Sequence, residues 1–197
     1  MQRINIAVFA SGDGSNFENL ATYFNAGVLA RVSLLVCNKS DAYVLERARR
    51  LGVASAVVTK AELQQPEVVM PLMRKYNIGF VVLAGFLPLM PDYMIDAFPQ
   101  RMVNIHPSLL PKYGGKGMWG HHVHEAVKAA GETETGMTVH WVTPQCDGGT
   151  IIAQRRVALA PEDTADDIAR KEHLLEMEHF PKIIEDVLNS LSDIPRL

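Results

Sequence analysis

The sequence predicts an α/β protein built on an open, mostly parallel, twisted sheet of about seven strands with helices on both faces. Three observations carry this. Apolar runs such as 4–10, 32–36 and 79–84 are near-continuous rather than alternating, as strands buried on both faces are. Segments with helical spacing of apolar residues stand between them, and strand–helix alternation builds parallel sheets. The 197 residues, 48% hydrophobic and 21% charged, suffice for one sizeable core and suit a single domain over 1–197.

The first strand, 4–10, runs into Ser11-Gly12-Asp13-Gly14-Ser15-Asn16, after which Phe17, Leu20, Ala21 and Phe24 share a helical face. Strand, glycine-rich turn and helix in that order offer free backbone N–H groups and a helix dipole to an anion. Ser15 and Asn16 can add side-chain donors, and the glycines permit close approach. The alternative is an ordinary tight turn with an N-cap. Phe17 stands where a dinucleotide fingerprint needs a third glycine, and the second strand, 32–36, ends in Cys37-Asn38-Lys39 without an acid for a ribose. A phosphomonoester fits better.

Residues 43–51 read as a helix stopped by Gly52, and 54–58 as the third strand. An amphipathic helix over 67–76 places Val68, Leu72 and Tyr76 in apolar register, with Pro71 awkward inside it. The fourth strand, 79–84, leads into Gly85-Phe86-Leu87-Pro88-Leu89-Met90-Pro91, which either packs into the core or forms an apolar slot for a flat ring system. A short helix, 92–97, precedes the fifth strand, 102–106.

That fifth strand carries Asn104 and His106. Residues two apart on a strand face the same way, so a carboxamide and an imidazole enter one cavity. Acyl-type transfer needs such a pair, one group for a developing oxyanion and one for the proton. A satisfied core histidine beside a turn asparagine is the plainer reading of an isolated N-x-H. Ligands of open α/β sheets bind beyond the carboxyl ends of the strands, where the Gly12–Asn16 turn, the 85–90 loop and this pair all fall.

Residues 112–120 hold too many glycines for regular structure and suggest a mobile flap. A helix over 122–130 follows, ending at Gly131. His121, His122 and His124 lack a metal-ligand pattern, and no metal is expected. Strands are expected at 135–142 and 150–159. Between them Asp147 precedes Gly148 and Gly149, as in an ordinary Asp-Gly turn or in a loop that carries a working carboxylate. Thr164-Ala165-Asp166-Asp167 resembles a capping box opening a helix to about residue 189. Ile168, Leu175 and 180–184 supply core from it; Glu176 and Glu178 are solvated charges unless one faces the cleft.

A net charge of -3 gives no basic footprint for nucleic acid or an anionic membrane. Cys37 and Cys146 form no C-x-x-C pair, and no run spans a bilayer or carries a leader pattern, so a reducing cytoplasm is the expected location.

Taken together, Ser11-Gly12-Asp13-Gly14-Ser15-Asn16, 38–42, 45–49, 82–86, 104–113 and Cys146-Asp147-Gly148-Gly149 resemble the folate-dependent formyltransferase family, nearest its glycinamide ribonucleotide formyltransferases of purine synthesis. The likeness runs from about residue 4 to residue 184. It implies a Rossmann-like formyltransferase fold with a phosphate-binding half over about 1–100 and a folate-binding, catalytic half over about 101–190. It implies transfer of a formyl group from 10-formyltetrahydrofolate to the amine of glycinamide ribonucleotide, without metal, nucleic acid or membrane, and with a homodimer as a candidate assembly. By resemblance Asn104, His106 and Asp147 are the catalytic trio. Gly14, Ser15, Asn16, Pro107 and Glu176 would hold the ribonucleotide. Leu87, Pro88, Leu89 and Met90, with Asn104 and Asp147, would line the folate site.

Four positions depart from the family: Asp13 for a common Asn, Pro88 for a usual Arg, a longer 112–120 flap, and Met177 for a frequent His. In chemical terms Asn104 would donate to the oxyanion, and Asp147 would raise the His106 pKa and relay the amine proton. The rivals are formyltetrahydrofolate hydrolase, expected with an extra N-terminal domain, and methionyl-tRNA formyltransferase, expected with a C-terminal domain and basic surface. Sugar-nucleotide formyltransferases, a silent nucleotide-binding module, and thiol catalysis by Cys146 with His106 as base complete the list.

Overall fold

The computed structural model describes residues 3–191; residues 1, 2 and 192–197 of the expected 1–197 domain lie outside them. Strand β1 (Ile4–Ala10) explains the continuous apolar run. Its Ile6, Val8 and Ala10 face a layer formed by α1 (Ser15–Ala26), α2 (Val44–Arg50) and α6 (Ala165–Ser190). Its Ala7 and Phe9 face the opposite layer of α3 (Pro66–Lys75) and α4 (Asp92–Ala97). Both faces are dry, so alternation vanishes, and each buried aliphatic side chain contributes roughly 1.5–3 kcal/mol.

The remaining strands are β2 (Ala30–Cys37), β3 (Ala54–Val57), β4 (Ile78–Ala84), β5 (Met102–His106), β6 (Glu134–Trp141) and β7 (Ile151–Ala158). Their order across the seven-stranded sheet is β3-β2-β1-β4-β5-β6-β7. The pairs from β3 to β5 are parallel, and β5–β6 and β6–β7 are antiparallel. The chain leaves β1 towards β2 and β3, then returns to the other side at β4. That reversal opens a crevice at the carboxyl ends of β1 and β4. Edge strand β7 is largely exposed, which accounts for its mixed composition.

One expectation is corrected. The buried face of α3 is Val69 and Met73, not Val68, Leu72 and Tyr76, which are half-buried at its flanks. Pro66 starts this helix at a position where proline is favoured, and Pro71 lies on the solvent face. Along α6 the two acids left open by the sequence divide, Glu176 buried and Glu178 exposed. The expected capping box is present: the Thr164 side chain accepts from the Asp167 N–H, and Asp167 caps back. Helix α5 (His121–Ala129) packs beside α6.

Candidate active site

Register builds the centre of the site. β5 pairs antiparallel with β6 so that Asn104 lies opposite His140 and His106 opposite Thr138. Asn104 Nδ2 is 3.1 Å from His140 Nε2. The loop between β6 and β7 folds back over these strands, with Asp147 in the left-handed region at φ 51. Its Oδ1 lies 3.5 Å from Asn104 Nδ2 and 3.6 Å from His140 Nε2. Its Oδ2 lies 3.7 Å from His106 Nδ1 and accepts the Gly115 N–H at 2.8 Å. The three residues read from sequence therefore converge, and His140 joins them.

Partners fix the tautomers. His106 Nε2 is 2.7 Å from the Tyr113 carbonyl, which can only accept, so the proton sits on Nε2 and Nδ1 turns its lone pair to Asp147. His140 Nδ1 lies 2.9 Å from the Trp141 carbonyl, and its Nε2 faces both Asn104 Nδ2 and Asp147 Oδ1. The expected rise in the His106 pKa is reversed: burial pushes it down, outweighing the Asp147 carboxylate and the Tyr113 carbonyl. For Asp147, burial acts against ionisation, but the His140 imidazole, the Gly115 N–H and the nearby His106 prevail and hold its pKa down to about 2.

The start of the 112–120 segment, expected as a mobile flap, is tied down. Ser108 Oγ donates to the Lys112 carbonyl, Gly115 donates to Asp147, and Lys112 and Tyr113 both reach Glu132. Pro107 is half-buried where β5 ends.

The Gly12–Asn16 turn leaves the carboxyl end of β1, on the same edge of the sheet and two strands from β5. Gly14, at φ 83, precedes α1, and no side chain caps the helix. Nothing would lie within 4 Å of a Cβ at Gly12, so the backbone is open to a ligand there. At Gly14 a Cβ would sit 2.3 Å from Val44 Cγ2. Gly14→Ala is therefore expected to cost about 1–3 kcal/mol, a fall in Tm of roughly 5 °C. An unchanged melting curve would show that the turn does not depend on this contact.

Asp13, the acid of the Gly12–Asn16 turn, is answered by Arg47. Arg47 Nη2 meets Asp13 Oδ2 at 2.7 Å, its Nε donates to the Asp13 carbonyl, and its Nη1 pairs with Glu18. The carboxylate at position 13 is thus neutralised by a partner on α2. Asn16 is turned the other way: its Nδ2 donates to Glu176 Oε2 at 2.8 Å, leaving an anion the Asn16 backbone N–H rather than the expected side-chain donor. Glu176 also lies 3.5 Å from His173 Nδ1. Met177 contributes its carbonyl, which accepts from Asn19 Nδ2 at 2.8 Å.

The 85–91 loop is pinned to the same turn. Ser11 Oγ donates to Asn38 Oδ1 at 2.5 Å and accepts the Leu87 N–H at 3.0 Å, while the Ser11 N–H donates to the Gly85 carbonyl. Leu87 and Leu89 are 45% and 65% exposed, so the loop presents apolar surface on a fixed backbone. Pro88 is half-buried, and Met90 packs into the core with Met94 and Phe98 rather than lining a slot.

Cys146 is a poor nucleophile here, since burial and the Asp147 charge push its thiol pKa up. Among the described residues no group of three or more His, Cys, Asp or Glu is placed to hold a metal, and no helix is long and apolar enough to cross a membrane. Sequence reasoning missed His140 and Arg47. The first could have been found by pairing 134–141 antiparallel to 102–106; the second shows itself only through its contacts.

Residues 4–184 match the family described as formyl transferase. The chain is 40% identical over 195 residues to the chloroplastic phosphoribosylglycinamide formyltransferase of Arabidopsis thaliana, covering 94% of this chain and 67% of that one. It is 35% identical over 189 residues to the phosphoribosylglycinamide formyltransferase of Bacillus subtilis, covering 92% of this chain and 93% of that one. The crystal structure of phosphoribosylglycinamide formyltransferase from Anaplasma phagocytophilum superposes with a TM-score of 0.86 at 30% identity, covering 95% of this chain and 88% of that chain.

Proposed function

We propose, from the premise that this chain belongs to the formyl transferase family, that it is a phosphoribosylglycinamide formyltransferase. Its reaction is formylation of the glycinamide ribonucleotide amine in purine synthesis, with 10-formyltetrahydrofolate as the donor. One observation carries the chemical reading: Asn104, His106, His140 and Asp147 meet beside the uncapped start of α1.

The residues fit both ligands. The backbone N–H groups of Gly14, Ser15 and Asn16 suit the phosphate, and Asp13 is already neutralised by Arg47. Glu176 and Pro107 border the ribonucleotide. The fixed, exposed Leu87 and Leu89, with Pro88 beside them, suit the flat ring of the folate, and Met90 supports the loop from below.

Asn104 holds two donors, one used firmly by His140 and one loosely, at 3.5 Å, by Asp147. The loose one is exchanged for the formyl oxygen as it gains negative charge. As the amine attacks, the new C–N bond forms and the amine must lose a proton. Asp147, with a pKa of about 2, relays that proton without retaining it. His106 Nδ1, with its lone pair 3.7 Å from Asp147, holds the proton as an imidazolium and so adds positive charge beside the oxyanion. The bond to the folate nitrogen then breaks, and His106 and Asp147 return the proton to that nitrogen.

The test is a steady-state assay with purified protein, glycinamide ribonucleotide and 10-formyltetrahydrofolate, following the absorbance of the folate product. Turnover that requires the ribonucleotide is expected. Formate release without an amine acceptor would identify a hydrolase instead, and ligand binding without turnover a silent module.

A further inference from the structure

One buried acid has no part in the transfer chemistry. Glu172 is 3% exposed and lies one helical turn before Glu176, itself 8% exposed, on the same face of α6. Its carboxyl is close enough to that of Glu176 for the two to interact, and its Oε1 finds no hydrogen-bond partner among the described residues. Burial first, then the charge and hydrogen bond of Glu176, all push the Glu172 pKa well above the usual carboxylate range. Two carboxyls facing one another in a dry place cannot both ionise, so the pair shares a single proton.

The surroundings decide where that proton rests. Glu176 faces Asn16 Nδ2 from α1 at 2.8 Å and His173 Nδ1 from α6 at 3.5 Å. His124 on α5 and His106 on β5 also feel its charge. Asp13 and Arg47 act on His173 from beyond it with opposite signs. Among the described residues no donor reaches Glu172 Oε1, so the proton of the pair rests on Glu172. Asn16 Oδ1, buried and without a hydrogen-bond partner among the described residues, belongs to the same carboxamide that donates to Glu176.

We propose that Glu172 is a positioning residue for the ribonucleotide: the proton it shares with Glu176 locks the Glu176 carboxylate against Asn16 and orders both at the phosphate turn. The idea rests on reading that turn as the ribonucleotide site. With the pair locked, the Glu176 carboxylate is a preorganised acceptor for the hydroxyl or amine donors of the ligand, next to the backbone N–H groups that receive its phosphate. An apolar residue at 172 would leave Glu176 free to turn away from Asn16.

Two measurements test this. Carboxyl ¹³C NMR of glutamate-labelled protein should show one glutamate still protonated at neutral pH and missing in Glu172→Gln; finding every glutamate ionised overturns the proposal, with no turnover needed. In kinetics, Glu172→Leu should raise KM for the ribonucleotide about 5–10-fold while kcat and KM for the folate stay within about twofold. Glu172→Gln, whose amide still donates to Glu176, should restore KM. In the unsubstituted protein KM should climb at alkaline pH as the shared proton leaves, and in Glu172→Gln it should stay flat. Equal KM values in both variants and the parent, with unchanged melting curves, would reduce Glu172 to a space-filler and overturn the proposal. Should the leucine variant fail to fold, the NMR signal and the pH profile of Glu172→Gln decide. A parent protein with no formyl transfer at all would refute the assigned reaction, while the NMR result would still judge the shared proton.

Discussion

Asn104→Ala is expected to lower kcat by about 10²–10³, the usual loss when one oxyanion donor is removed. The carboxamide is held by His140 at 3.1 Å, so its N–H is aimed before substrate arrives and little reorganisation is needed. Its second contact, to Asp147 at 3.5 Å, is long enough to yield to a substrate oxygen. Alanine keeps the strand and removes only the side-chain contacts to His140 and Asp147. Asn104 is half-buried, so the melting curve should change little while KM for the ribonucleotide stays close to the parent value. A variant that retains kcat within about threefold would remove Asn104 from the chemistry.

Asp147→Asn is expected to cost a comparable amount, about 10²–10⁴ in kcat, because the proton then has no anionic relay. The pH dependence carries the sign. The folded pKa of about 2 lies below the ordinary 3.8, so Asp147 is ionised throughout the neutral range and does not shape the rate there. The acid limb belongs to His106, whose pKa burial has lowered and the Asp147 charge partly restores. Removing that charge should move the limb of the residual activity to lower pH. The ionised Asp147 also stabilises the fold by about 2 kcal/mol above its unfolded pKa, a contribution lost as pH falls through about 2. The gap in stability between parent and variant should accordingly close below about pH 4. A limb that stays in place, or moves upward, would show that His106 and Asp147 are not coupled.

How much of this was legible without coordinates varied with the physical signal. Two-sided burial leaves unbroken apolar runs, so the strands and the open sheet were readable, and 92–97 and 102–106 carry the bounds expected of them. The phase of α3 was not, because Val68 and Leu72 share a four-residue spacing with Val69 and Met73, and only packing against β4 and α4 selects between them. Asn104 and His106 were visible as an N-x-H at a strand end. His140 was not, since its role depends on the antiparallel register of β6. The direction of the His106 shift was misjudged because a carboxylate neighbour can be inferred from motifs and burial of the ring to 4% cannot. Glu172 and Glu176 look like any solvated helix acids until α1 and α5 cover them, and Asp13 looked harmful to an anion until Arg47, 34 positions away, met it.

The Ser11 hydroxyl joins the Gly12–Asn16 turn, Asn38 at the end of β2 and the Leu87 backbone through bonds of 2.5 and 3.0 Å. A knot of that kind makes the two docking places one mechanical unit: a ligand that displaces Ser11 drags the leucine-bearing loop with it. Affinity for a ligand at the turn and for one at the loop would then be set by a common post, and Ser11 becomes the place where a single lost oxygen would slacken both.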